Sequence, residues 1–314
     1  MRTTFIQTLI AQAQQDPSIF LLCGDLGYSV LEPFAAAFPE RFLNVGIAEQ
    51  NMVGLAAGLS LEGYTVFCYS IGNFPTLRAM EQIRYDVAYH DANVKIIAVG
   101  GGYAYGPLST SHHTTEELGM LRTIPGMVVT APGDPAEVEA MTAFISQHRG
   151  PCYMRLNKAG EPRLHAQPPA LTLGGIVPVR AVDGATAAVF ATGDMVGYAA
   201  RELEQRAARV DLYSFPFVNP IDTAQLAALA ARYSDIATLE EHQANAGFGS
   251  AVLERLHDLL SEGALARLPA VRRIAIPNAF ISSAGSQDFL RDRMGLRLDG
   301  WPPLNPDTPT RVQT

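Results

Sequence analysis

One rhythm runs through this chain and limits what it can become: short, mostly apolar runs alternating with stretches of helical spacing. Ile19–Cys23, Phe42–Val45, Val66–Ser70, Val94–Val99, Met127–Thr130 and Cys152–Leu156 are the runs of the first half, and 46–61, 77–90 and 135–146 carry the helical spacing between them. The chain opens on the same spacing at Phe5, Ile6, Leu9 and Ile10, stopped by Asp16-Pro17. Runs apolar at nearly every position suit strands covered on both faces, and parallel neighbours need a helical crossover. The rhythm returns with strands at Ala187–Ala191, Val210–Phe215, Ile236–Leu239 and Val271–Ile276, and with helices over 195–208, 223–233 and 249–260. Between the halves, residues 161–175 (EPRLHAQPPALTLGG) show no period and are rich in Pro, Ala and Gly, which reads as a linker. The expectation is α/β: two doubly wound domains, 1–160 and 176–314, with the tail from Trp301 onward mobile.

Composition narrows the function. The 314 residues are 48% apolar and 17% charged, enough apolar surface for two cores. The net charge is −8 and no Lys/Arg run interrupts it, which argues against nucleic acid or an anionic membrane as partner. Cys23, Cys68 and Cys152 are far apart with no C-x-x-C pair, as expected of buried free thiols in a reducing cytosol. The N-terminus lacks the apolar core of a signal peptide, and no apolar stretch approaches the ~20 residues that span a bilayer. The reading is a soluble, cytoplasmic protein.

Parallel sheets bind ligands beyond the carboxyl ends of their strands. Those ends carry Gly24-Asp25, Gly46–Glu49, Tyr69–Phe74 and Gly100–His113. Glu49, among Ile47, Ala48, Met52 and Val53, is either a first-turn carboxylate favoured by the helix dipole or a half-buried carboxyl of raised pKa able to share a proton. Gly100-Gly101-Gly102 permits close backbone approach, but neither G-x-G-x-x-G nor a Walker sequence is present. Adjacent His112 and His113 suit contact with a substrate hydroxyl better than a shared metal ion. Arg155 ends a buried strand, so it pairs with a carboxylate or faces a cleft and binds an anion. Tyr69 and Phe74 are core aromatics or a stacking wall for a flat heterocycle. Glu240-Glu241-His242 is a capped loop or a catalytic dyad. Residue types and spacing alone reach an α/β enzyme or binding protein with an acidic residue in a cleft.

Beyond that point the chain resembles a known family. Phe38-Pro39-Glu40-Arg41-Phe42, Gly46-Ile47-Ala48-Glu49-Gln50-Asn51-Met52, Gly54–Leu59, Arg78-Ala79-Met80-Glu81-Gln82-Ile83 and Ile124-Pro125-Gly126-Met127 resemble the pyrimidine-binding domain of transketolases. Asn219-Pro220-Ile221-Asp222, Glu240-Glu241-His242 and Gly247-Phe248-Gly249 extend the likeness to the transketolase C-terminal domain, in collinear order. The diphosphate-binding domain with its Gly-Asp-Gly metal motif has no counterpart here, so the resemblance is to the small subunit of a split transketolase. It implies an enzyme using thiamine diphosphate at the interface of an α2β2 heterotetramer. The partner, the N-terminal diphosphate-binding subunit, would hold most contacts to Mg²⁺ or Ca²⁺, with no metal ligand from this chain.

The resemblance also implies roles. Glu49 hydrogen-bonds the ring nitrogen of the aminopyrimidine and so activates the thiazolium C2 position. Phe74 stacks on the pyrimidine, Ile71 stands where the family has a second aromatic, and Asp25 lies near the cofactor and interface. His112 contacts the hydroxyl of the sugar donor, and Arg155 reaches a substrate phosphate. The loop Gly106–His113 lacks the Asp that sugar-phosphate transketolases usually carry there, which points to other sugars and gives His113 part of the recognition. The reaction implied is transfer of a two-carbon ketol unit from a ketose to an aldehyde, in a specialised sugar or natural-product pathway. The competing readings are the beta subunit of a 2-oxo acid dehydrogenase, carboligation of pyruvate, and a non-catalytic scaffold subunit.

Overall fold

The computed structural model describes residues Met1–Trp301. Twelve strands form two sheets among these residues: β1 (Ile19–Cys23), β2 (Phe42–Asn44), β3 (Thr65–Ile71), β4 (Val94–Val99), β5 (Val128–Thr130), β6 (Cys152–Leu156), β7 (Val177–Arg180), β8 (Ala187–Ala191), β9 (Val210–Ser214), β10 (Phe217–Asn219), β11 (Asp235–Gln243) and β12 (Ala270–Ile276). The first sheet has the order β10-β5-β6-β4-β3-β1-β2 and the second β12-β11-β8-β9-β7. Every pairing is parallel except β10 with β5 and β7 with β9. These are two α/β domains of the doubly wound kind.

The apolar runs became strands because both of their faces are covered. Helix Arg2–Gln15 packs Phe5, Ile6 and Leu9 onto one face of the first sheet, with helix Pro135–Gln147 beside it. The opposite face shares a continuous core with the second sheet, running from Met52 and Val53 through Phe190 and Phe215 to Phe248 and Leu256. A third cluster, with Val189, Leu203, Leu212 and Leu239, covers the far face of the second sheet. Residues 161–175 hold no helix or strand.

Several elements depart from the sequence reading. β10, which begins directly after Pro216, leaves the second half of the chain and pairs with β5, so the first sheet is closed by a strand from beyond the linker. Its shortness hid it from any periodicity. The expected helix 77–90 is broken: Phe74–Leu77 and Met80–Gln82 are separate turns, followed by a wider, π-helical coil over Ile83–Tyr89. Such widened turns recur at functional sites. Trp301, assigned to a mobile tail, is buried in the third core; the rest of that tail lies outside the described residues. The three cysteines are free and buried, and among the described residues no helix is long and apolar enough to cross a membrane.

Candidate active site

The carboxyl ends of β1–β4 bring most of the chosen side chains to one edge of the first sheet. Glu49 is the first residue of helix Glu49–Leu61, entered through a turn at Gly46 with φ +75°. Its side chain is 2% exposed. Arg78, at the break between the two short turns, donates from Nη1 to Glu49 Oε2 at 3.0 Å. The same guanidinium lies 5.5 Å over the ring of Phe74. Phe74 in turn meets the ring of His112 edge-on, centroids 5.3 Å apart. One chain of contacts thus links Glu49, Arg78, Phe74 and His112. The sequence reading sets Glu49 among apolar neighbours and misses Arg78; a basic residue four positions beyond a loop aromatic carries no signal without the break that turns it inward.

The histidine loop is tied to the end of β3. Asn73 Nδ2 donates to the carbonyl of Ser111 at 2.9 Å, and Ser111 Oγ lies 3.0 Å from His112 Nδ1. A Cβ at Gly72 would overlap Thr114 Oγ1, so only glycine lets these segments approach. Ile71 is half-buried beside them. Asp25 follows β1 in the left-handed region at φ +55° and is exposed. It exchanges two hydrogen bonds with Asn44, at 3.0 and 2.9 Å, which joins the ends of β1 and β2. His113 is buried against Tyr103, edge-on at 4.9 Å, and its Nε2 has no partner. It lines a cavity of about 260 Å³ with Asn73, Thr110, Glu116 and Ile281.

Arg155 corrects an expectation. Its Nε and Nη2 donate to the two oxygens of Glu117 at 2.6 and 2.7 Å, and its Nη1 and Nη2 to the carbonyls of Glu241 and Thr114. Tyr153 Oη donates to the same Glu117. A fully buried guanidinium needs such partners, and four of its five N–H groups are taken up by them. Of the two readings open in the sequence, the carboxylate pair is the one adopted. Glu240-Glu241-His242, open in the sequence as a capped loop or a dyad, lies within β11: Glu240 accepts from the N–H groups of Phe248 and Gly249 and caps helix Phe248–Ser261, while His242 Nε2 accepts from Gly119 N. Among the described residues one cluster has metal-ligand types, Asp134, Glu137 and His165. Asp134 is already engaged there by the N–H groups of Glu137, Leu164 and His165, a tie between helix and linker.

Glu240 makes stability depend on pH. The two N–H donors favour its charge, but burial outweighs them and pushes its pKa from an ordinary 4.5 up to about 7. Its contribution is fully present below the unfolded value and is lost as pH rises through about 7. Glu240→Gln removes this titration, so the melting temperature of the variant minus that of the wild type is expected to rise between pH 5 and pH 8 by several degrees. Thermal unfolding across that range checks it; a difference independent of pH overturns it.

Comparison with known proteins follows the same architecture. The family model for the transketolase pyrimidine binding domain matches residues 1–161, and that for the transketolase C-terminal domain matches residues 178–298. The chain belongs to the transketolase family. It is 32% identical over 304 residues to an apulose-4-phosphate transketolase subunit of Phocaeicola vulgatus, covering 95% of this chain and 94% of that one. It is 31% identical over 300 residues to a 6-deoxy-6-sulfo-D-fructose transketolase subunit of Clostridium sp., covering 94% and 90%. Among solved structures it is similar to a "Split gene transketolase, inactive beta4 tetramer", with a TM-score of 0.79, 32% identity, and 94% and 93% of the two chains covered. The chain is thus a transketolase-family transferase subunit, and its pyrimidine-binding domain implies thiamine diphosphate.

The residues present fit that cofactor. A buried carboxylate at a helix start could meet a ring nitrogen of an aminopyrimidine, and the aromatic ring linked to it through Arg78 could stack on one.

Proposed function

We propose that this chain is the small subunit of a split transketolase, moving a two-carbon ketol unit from a ketose donor to an aldehyde acceptor together with a separate diphosphate-binding partner. The observation that carries the reading is Glu49, buried at the edge of the first sheet with its carboxylate joined through the guanidinium of Arg78 to Phe74 and His112. Thiamine diphosphate, when bound, supplies the electron sink for breaking and making the carbon–carbon bond.

The chain's own residues prepare that chemistry. Glu49 Oε2, now held by Arg78, takes up the ring nitrogen of the aminopyrimidine and shares a proton there. Phe74 and Ile71 form the apolar walls of the ring's slot, one aromatic and one aliphatic, and exclude water from it. Asp25, braced by Asn44, borders the slot near the partner. His112 and His113 meet substrate hydroxyls, His113 from the wall of the cavity beside Asn73 and Thr110. Arg155 has no part in substrate binding. Mg²⁺ or Ca²⁺ and the diphosphate would be held mainly by the partner.

The relatives named for apulose-4-phosphate and 6-deoxy-6-sulfo-D-fructose support a ketose sugar as the donor. Their names favour transketolase over the beta subunit of a 2-oxo acid dehydrogenase, and ketose-dependent transfer without lipoamide separates the two. The similar beta4 tetramer, described as inactive, supports self-association of small subunits and activity only in an α2β2 heterotetramer. Buried free thiols at Cys23, Cys68 and Cys152 suit a reducing cytoplasm.

Calorimetry with thiamine diphosphate and Mg²⁺ tests the reading. The chain alone is expected to bind at least a hundredfold more weakly than the chain mixed with its diphosphate-binding partner. Tight binding by the isolated chain overturns the split-site reading, and no binding by an associated pair moves the scaffold reading forward.

A further inference from the structure

We propose that Glu241, in the C-terminal domain, is a positioning residue for His113, so that the second domain sets the geometry of the substrate-facing loop of the first. The inference rests on the proposed substrate role of His113.

Glu241 is 2% exposed and divides its two oxygens between the domains. Oε1 accepts from the backbone N–H of Tyr103 at 3.0 Å. Oε2 accepts from Gln287 Nε2 at 2.8 Å and Arg291 Nη2 at 2.7 Å, and Arg291 also pairs with Asp194. The carboxylate reaches Tyr103 only because Gly102, at φ +60°, has no side chain: a Cβ there would overlap the Glu241 carboxyl carbon. From this anchor the path to the histidine is short. Gly102 exchanges backbone hydrogen bonds with Thr114, at 2.7 and 2.9 Å, and Thr114 is the neighbour of His113. The ring of Tyr103 backs the imidazole edge-on at 4.9 Å. A second set of ties from the C-terminal domain holds the front of the same loop: Thr110 Oγ1 donates to the carbonyl of Ile281 at 3.0 Å, and Gly285 N donates to that of Gly106 at 3.3 Å. His113 is therefore fixed from both sides by groups beyond the linker. His113 lines a cavity that Ala279, Phe280 and Ile281 help to enclose, and its buried Nε2 has no partner.

A carboxylate with three donors, two of them on an arginine and an amide of its own domain, would serve cohesion of the domains equally well if Tyr103 led nowhere. The discriminating readout is the state of His113 itself. Diethylpyrocarbonate modification of the full chain, read site by site by mass spectrometry, requires no cofactor, partner or substrate. Glu241→Ala is expected to raise the modification rate of His113 at least fivefold while His148 and His165, half-buried elsewhere, change less than twofold. Glu241→Gln, which keeps an oxygen for Tyr103 N, is expected to stay within twofold of wild type at all three. An unchanged His113 rate in the Ala variant, or an equal rise at His148 and His165 from general loosening, overturns the proposal.

In the enzyme assembled with its diphosphate-binding partner, with β-hydroxypyruvate as donor probe, Glu241→Ala is expected to raise donor KM about tenfold with thiamine diphosphate affinity held within twofold. The same change in a His113→Ala background is expected to add less than twofold. Full additivity overturns the positioning role even where Glu49→Gln still abolishes transfer, so failure here is separable from failure of the transketolase reading.

Discussion

Glu49→Gln is expected to fold, associate with the diphosphate-binding partner and bind cofactor, yet to lose roughly 10³-fold or more in ketol transfer, in the range that follows removal of a proton-sharing group. Gln has the shape of Glu, and its amide oxygen still accepts from Arg78, whose side chain is 53% exposed and tolerates loss of the charge partner. What Gln cannot do is share a proton with a ring nitrogen. The burial that isolates Glu49 from water makes this loss severe, because no solvent molecule stands ready to replace the carboxyl. Steady-state turnover of the assembled enzyme, with thermal unfolding and gel filtration as controls for fold and assembly, checks the expectation. Turnover within tenfold of wild type removes Glu49 from the chemistry and favours the scaffold reading.

Arg155→Met is expected to act on stability rather than on substrate affinity. It leaves Glu117, wholly buried, with only Tyr153 as donor from among its present side-chain partners. Breaking one side of such a pair costs about 3–5 kcal/mol, a fall in melting temperature on the order of 10 °C. The double change Arg155→Met, Glu117→Leu is expected to recover much of this loss, since removing both charges leaves no orphan. Circular dichroism melts of the three variants provide the measurement. A near-wild-type melt for Arg155→Met, together with a raised KM for a phosphorylated donor, returns Arg155 to the substrate.

These cases mark how far the residues could be read. The strand Cys152–Leu156 was legible because four of its five positions are apolar, which suits a strand buried on both faces. What Arg155 does there was not legible, because its partner lies 38 positions away in a different element. The same holds for Glu49: the turn at Gly46, the strand before it and the helix after it are local features, whereas Arg78 arrives from 29 positions on. Helix 77–90 failed for the converse reason. Its apolar spacing is compatible with a single helix, whereas the chain there forms two short turns and a π-helical coil.

By itself the sequence determined the α/β alternation, the strand ends at which ligands meet a parallel sheet, and through ordered motifs the transketolase family. These depend on periods and words a few residues long, which the chain carries wherever it goes. Tertiary structure alone decided that Arg155 is committed to Glu117, that Arg78 faces Glu49, that β10 closes the first sheet from beyond the linker, and that Glu241 reaches Tyr103 across 138 positions. A buried charge takes whichever opposite charge or hydrogen-bonding group the packing brings to it, and that neighbour is set by the fold rather than by spacing along the chain.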